Sequence, residues 1–315
     1  MPRQTDRILM LTVAGVAVVF AMALAQRVPR AAAAAAPRLQ IEEFTADSNA
    51  FAVNSTLVVG STEVLLVDAQ YRVADARRLA DRIAATGKHL KAIVLTHPDD
   101  DHYYGVATIL ERFPGTPVYM STTGIDEFIT RELPQFKAMK ARIAAVLASG
   151  QANGRTSPPV PDSLVVPQPF PSTRLTIDGE EIQVVMDQQG DVLKPCNTFL
   201  WIPSIRTVIA GDIVFNGVHM WLAASNEASR TRWQESLRRI AALHPLAVVA
   251  GHKSRVDAPD TPDVVAATAA YLTDFDSARK AAPSADALVA AMDQKYPSRA
   301  VHGILVYAAR KAYGD

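Results

Sequence analysis

From Ser55 the chain reads Ser-Thr-Leu-Val-Val, turns at Gly60-Ser61, and resumes over 63–68 as Glu-Val-Leu-Leu-Val-Asp. Two short apolar runs around a turn pair predict a hairpin feeding a buried strand. The period then changes. Over 74–85 apolar positions recur at helical spacing, with Leu79 and Ile83 on one face, arginines elsewhere, and Gly87 where a helix would stop. The run over 91–95, Lys-Ala-Ile-Val-Leu, is continuous apolar text, as expected of a strand covered on both faces. A charged loop follows, then a predicted helix to about Phe113 and a strand over 117–120.

Residues 124–149 carry a helical pattern interrupted at Pro134, and the Pro- and Ser-rich passage over 157–172 reads as surface connection. Strands are predicted over 175–177, 182–185, 198–202 and 207–210. A helix over 230–243 precedes an apolar run over 246–249 and the pair Gly251-His252; beyond Pro262 the text is helical to about Met292. No repeat period is visible. Strands and helices in both halves predict an α/β (α+β) chain of sheets covered by helices. The main domain is expected over 41–257, with 258–315 a C-terminal helical extension packed on it.

Composition adds limits. With 49% hydrophobic and 20% charged residues, the chain of 315 has enough apolar text for a real core. Lys plus Arg and Asp plus Glu both total 32, and this balance counts against a nucleic-acid partner. It leaves room for a small-molecule substrate, even an anionic one, because a bound metal would supply the positive field itself. At the N-terminus, Arg3 and Arg7 precede an uncharged run over 8–25 that ends Ala23-Leu24-Ala25. A basic start, an apolar middle and an A-x-A exit predict a secretory signal peptide over 1–25, with an Ala/Pro-rich linker over 26–40. The folded part is therefore expected to be periplasmic or secreted, and membrane-anchored only if the segment is retained. Cys196 is the single cysteine, which excludes an intramolecular disulfide and suits a small buried hydrophobe.

The densest chemistry lies directly after the strand over 91–95: Thr96-His97-Pro98-Asp99-Asp100-Asp101-His102. Two histidines and three carboxylates on one loop are poor core material, and their mutual repulsion needs an offset that a divalent cation would provide. The ordinary alternative is a solvated acidic loop at a helix start. Three further strand ends weigh against that alternative. Gly190-Asp191, Gly211-Asp212 and Gly251-His252 each place a ligand-type residue beside a glycine that permits close backbone approach.

These four segments resemble the metallo-β-lactamase superfamily, whose signature is H-x-H-x-D-H after a strand, then a histidine, a bridging aspartate and a final histidine after later strands. The resemblance covers about 45–255, and Asp68 matches the family's early strand motif. It implies a four-layer αββα sandwich with metals at one edge of the two sheets. Carried onto this sequence, His97 would bind a first metal, Asp101 and His102 a second, Asp212 would bridge them, and His252 would complete the second site. Asp99 and Asp191 stand where the family has histidines, so the first site would be His97, Asp99, Asp191 and Asp212. One or two divalent ions are implied: zinc by resemblance, with manganese or iron suited to the added carboxylates. An acidic residue at the second motif position is similar to the flavodiiron relatives, which hold iron, although no flavodoxin-like domain is visible. Three outcomes stay open: two metals with an altered first site, a second site filled alone, or a fold without catalysis. Replacements that remain ligands favour a working variant.

Around this set, Asp101 is a candidate to orient the attacking water or relay its proton. Tyr103 and Tyr104 are weighed as oxyanion donors against plain core packing. His219 is a candidate substrate contact, and Trp221 a pocket wall. Phe128, Phe136 and Met139 could line a lid, though packing is their ordinary role. His89, His244 and His302 carry no motif. The expected function is metal-dependent hydrolysis, by a metal-bound hydroxide, of an ester, lactone, amide or lactam bond in a small molecule. Its rivals are a phosphodiesterase, an iron-dependent oxidoreductase and a non-catalytic exported binding protein.

Overall fold

The computed structural model describes residues 39–148 and 161–314. The expected signal segment, and the expected linker up to residue 38, lie outside the described residues. The first sheet runs in the order β1 (Gln40–Thr45), β2 (Asn54–Val59), β3 (Glu63–Val67), β4 (His89–Val94), β5 (Val118–Met120) and β6 (Gln168–Pro169). Its first three strands are antiparallel, and β3 through β6 are parallel. The helices α1 (Val73–Ala85), α2 (Asp100–Tyr103) and α3 (Val106–Arg112) supply the connections from β3 to β4 and from β4 to β5. The helices α4 (Thr122–Glu127) and α5 (Leu133–Ala148) follow β5.

The second sheet contains β7 (Arg174–Ile177), β8 (Glu180–Gln188), β9 (Asn197–Ile202) and β10 (Thr207–Ile209) as an antiparallel meander. A two-residue strand, β11 (Phe215–Asn216), follows, and then α6 (Glu227–Ala242). Strand β12 (Ala247–Val249) returns parallel to β10, and β13 (His252–Lys253) pairs with β11. The chain closes with α7 (Asp263–Ala281), α8 (Ala285–Lys295) and α9 (His302–Tyr313).

The layering follows from the two-residue period of the strands. Val58, Leu65, Val67, Ala92 and Val94 point inward against Ile182, Val184, Leu200, Ile209 and Val249, which fills the space between the sheets. Their neighbours Leu57, Leu66, Ile93 and Leu95 point outward, onto Leu79 and Ile83 of α1, Ile109 of α3 and Phe128. On the far side, Phe199, Trp201, Val208 and Val248 meet Trp233 and Leu237 of α6, Tyr271 and Phe275 of α7, Leu288 of α8 and Leu305 of α9. Both faces of each sheet are covered, so the expected αββα sandwich is the observed one. The last three helices share this outer core with the second sheet.

Local departures have physical causes. The edge strand β1 begins at Gln40, inside the stretch read as linker; its text Gln-Ile-Glu-Glu-Phe-Thr alternates without a run of apolar residues. The helix expected after the acidic loop is split into α2 and α3. At Gly105 the backbone lies against the carbonyl of Ala69, where a Cβ would overlap that oxygen. The expected break at Pro134 is a π-turn over Phe128–Glu132, after which α5 starts at Leu133 with the proline in its first turn, where its missing N–H costs least. Helix α9 lies beyond the predicted helical limit near Met292.

Candidate metal centre

Four strand ends on one edge of the sandwich supply the site: the loop after β4, the loop after β8, the turn after β10, and the step from β12 to β13. At the end of β3, Asp68 adopts a left-handed conformation, with φ 60°. Its carboxylate accepts from the Thr96 backbone N–H (2.9 Å), the Thr96 hydroxyl (2.8 Å) and His102 Nδ1 (2.9 Å). Because the Thr96 hydroxyl donates to Asp68, its oxygen is left to accept from His97 Nδ1 at 3.0 Å. His252 Nδ1 donates to the Phe51 carbonyl at 2.8 Å, and its ring stacks on Phe215. Each imidazole thus has its Nδ1 proton occupied, which leaves the three Nε2 lone pairs free to converge.

They converge on carboxylates. His102 Nε2 lies 3.2 Å from Asp212 Oδ1 and 3.8 Å from Asp101 Oδ1, while His252 Nε2 lies 3.0 Å from Asp212 Oδ2 and 3.5 Å from Asp101 Oδ2. His97 Nε2 faces Asp191 Oδ1 at 3.9 Å and Asp99 Oδ2 at 4.0 Å. The structure therefore brings all seven expected ligands together, in groups of mutual reach: Asp101, His102 and His252; His97, Asp99 and Asp191; and His97, His102 and Asp212. Whether a cation fits is decided by the polar atoms. His97 Nε2, Asp191 Oδ1 and Asp212 Oδ1 are buried without a hydrogen-bond partner, and the Nε2 atoms of His102 and His252 face each other at 3.2 Å. Lone pairs held this close, beside unpartnered buried oxygens, suit a divalent cation.

The electrostatics agree. Burial alone would depress the His102 imidazole, but Asp212, Asp101 and Asp68 together push it well above its ordinary value. His252 is raised in the same way, against burial, by Asp212 and Asp101. Burial would raise Asp212, yet His252 and His102 hold it well below the usual carboxylate range. Asp191 is pushed up by burial and by the neighbouring Asp212 and Asp99. A negative field that raises two imidazoles against burial is one that a divalent cation would offset. At Gly251 a Cβ would overlap the Asp212 carboxylate, so the glycine is what allows His252 and Asp212 to approach.

Above the ligands lies a cavity of about 310 Å³, lined by Asp99, Asp100, Asp101, Asp191, Asp212 and His252 at the floor and by Phe51, Phe215, His219, Trp221 and Ile304 at the wall. Arg131, Glu132, Gln135 and Ala224 complete the lining. His219 Nδ1 is 2.9 Å from the Tyr271 hydroxyl, and burial, with Arg299 nearby, lowers its pKa to about 4. Tyr103 is not on the cavity: it is 1% exposed, packs edge-on to Tyr104 and Phe128, and its hydroxyl has no partner. The oxyanion role weighed for it has no geometric support, because the helical phase of α2 turns it into the core. Phe128 and Phe136 are also core residues. Cys196 is buried, and burial pushes its thiol up.

The sequence reading passed over Arg131. Arg131 donates to Asp99 Oδ1 at 2.7 Å and pairs with Glu127 and Glu132, so Asp99 keeps only its other oxygen toward His97. No local signal marked Arg131. At α-helical spacing Arg131, Glu132 and Gln135 share the stripe of Phe128 and Phe136, so phase marks them as core; the π-turn over Phe128–Glu132 breaks that phase, and the three line the cavity. Phe51 was also missed, since its contribution to His252 is a backbone carbonyl that no side-chain pattern reveals.

Comparison with known proteins bears on the fold and the family. A metallo-beta-lactamase family protein from Thermus thermophilus superposes with a TM-score of 0.58 at 20% identity, covering 88% of this chain and 93% of that one. A metallo-beta-lactamase from Pontibacter korlensis gives 0.51 at 18% identity, covering 76% and 96%. At these identities the likeness is one of fold. No curated protein matches the sequence. Residues 48–252, which hold every ligand named above, match the family profile of the metallo-beta-lactamase superfamily, and the chain belongs to that superfamily.

Proposed function

We propose that this protein is an exported, metal-dependent hydrolase acting on an ester, lactone, amide or lactam bond of an uncharged small molecule. The observation that carries the reading is the convergence of three imidazole Nε2 atoms and four carboxylates, several unpartnered, beneath an open cavity. His97, Asp99 and Asp191 would hold one ion, Asp101, His102 and His252 another, with Asp212 between them. A divalent cation there supplies a positive charge that polarises a substrate oxygen and acidifies water.

The chain's own groups account for the rest. Asp101, at the cavity floor, orients the attacking water and takes up its proton at a carboxylate oxygen. His219 remains neutral near pH 7, because its pKa lies at about 4, and with Nδ1 taken by Tyr271 it offers Nε2 to the substrate. Phe51, Phe215 and Trp221 keep the wall apolar and limit water. Two divalent ions would only neutralise the four aspartates, while Asp100 and Glu132 also line the cavity against the single cation Arg131. An anionic phosphodiester therefore meets little net attraction, and a neutral carbonyl group suits the field better. The oxygen-rich donor set accepts zinc and suits manganese or iron as well.

Metal content tests this first. Protein reconstituted with zinc, manganese or iron is expected to hold two ions per chain by elemental mass spectrometry, and to lose them in Asp212→Ala. The double variant Asp99→His with Asp191→His should shift preference toward zinc. Failure of every preparation to hold a specific metal would sink the hydrolase reading.

A further inference from the structure

Beside the metal cavity lies a second one, of about 450 Å³, lined by Phe51, Trp221, Val301, Gly303, Ile304 and Tyr307, with the polar Ser48 and Asn49 on its rim. Phe51, Trp221 and Ile304 line both, so the two compartments adjoin along one apolar wall. Tyr307 is 45% exposed, and among the exposed large hydrophobic side chains of the described residues it alone borders either cavity. Its ring stacks on Trp221, with centroids 5.2 Å apart and planes 9° apart, which fixes the indole between the compartments.

The junction is built rather than incidental. Val301, immediately before α9, adopts a left-handed conformation with φ 61°, which is unusual for a β-branched residue. The backbone around it is pinned to the loop that follows β11: His219 N–H donates to the Ala300 carbonyl, and Ala300 N–H donates to the Gly217 carbonyl. The segment carrying His219 and Trp221 thus holds the start of α9 beside the metal cavity. Phe51 ties the compartments further, since its ring lines both while its carbonyl orients His252.

We propose that this annex holds an apolar acyl arm of the substrate, with the hydrolysable group over the metal centre. The inference rests on the hydrolase reading and extends it. Specificity for the arm comes from α9, which lies outside the family match at 48–252. A largely apolar pocket continuous with a polar reaction centre is the arrangement that an amphipathic ester or amide fits.

The test uses metal-loaded, full-length protein and a series of n-alkyl hydroxamates, from acetohydroxamate to octanohydroxamate, titrated by calorimetry. Affinity should rise by up to about fourfold per methylene until the annex is filled. In Tyr307→Ser and Ile304→Asp the advantage of the long probe over the short one should fall to less than a third of the wild-type ratio. Tyr307 is at the surface, so its variant keeps the test available if Ile304→Asp fails to fold. A gain below threefold across the whole series, or a gain retained in both variants, would overturn the annex while leaving the metal centre standing. Binding of no member of the series to protein shown to hold metal would also overturn the annex, whereas a chain that takes up no metal would overturn the hydrolase reading on which the annex rests.

Discussion

Asp68 shows how one side chain sets the direction of two others. By accepting from Thr96 and His102 it fixes His102 directly and, through the Thr96 hydroxyl, His97. Asp68→Asn would bring N–H donors to a position built only to accept. Metal affinity is expected to fall about 10- to 100-fold, measurable by competition with a chelating dye. A second buried network lies just past His252. Lys253 Nζ donates to Glu43 and Asp260, and Asn54 also donates to Glu43. Burial, aided by Asp260 and opposed by Lys253, raises Glu43 from 4.5 to about 7. The folded protein therefore keeps a proton that the unfolded chain releases earlier. This contribution to stability is complete below pH 4.5 and is lost as pH rises through about 7. Glu43→Gln should fall less steeply in melting temperature than wild type between about pH 5 and 7.5, in melts across that range. The ligand-type residues were legible at this scale because carboxylates and imidazoles at strand ends have no ordinary core role. Their partners Thr96 and the Phe51 carbonyl were not, because neither residue type signals chemistry.

Among the elements, strands buried on both faces were the easiest to read, since a run such as 91–95 has no other comfortable environment. The breaks in the helices were harder. Gly105 separates α2 from α3 because its Cα abuts the Ala69 carbonyl, a contact made across the chain and not along it. Gly105→Ala should lower stability by about 1–3 kcal/mol through overpacking, and denaturant melts would register it. If the variant matched wild type, the close approach could not be what divides the helix. The π-turn over Phe128–Glu132 was hidden for a related reason. Sequence shows a helical pattern and a proline, but not which way an inserted residue turns Arg131 toward Asp99.

For the molecule as a whole, the C-terminal helices complete the outer layer over the second sheet, and Leu305 of α9 is fully buried there. Leu305→Ala should cost about 2–5 kcal/mol, although it lies outside the family match, and chemical denaturation would read it. The metal centre is the other global constraint, because its ligands come from four strand ends on two sheets. A cation bound there binds the folded chain alone. Removing it with a chelator should lower stability by about 2.7 kcal/mol relative to metal at a hundredfold excess over Kd, checked by paired thermal melts. An unchanged melting temperature would mean that no cation joins the sheets.

Taken alone, the sequence determined the layered class of the fold and the order of the four ligand-bearing segments. Those follow from local periods: two residues for strands, 3.6 for helices, and short polar text at strand ends. Tertiary structure decided which lone pairs face one another, that Tyr103 turns inward while Arg131 turns to Asp99, and that α9 walls an annex beside the cavity. Such facts depend on the rotation of one element against another. That rotation is set by packing between residues distant in the chain, and no local pattern encodes it.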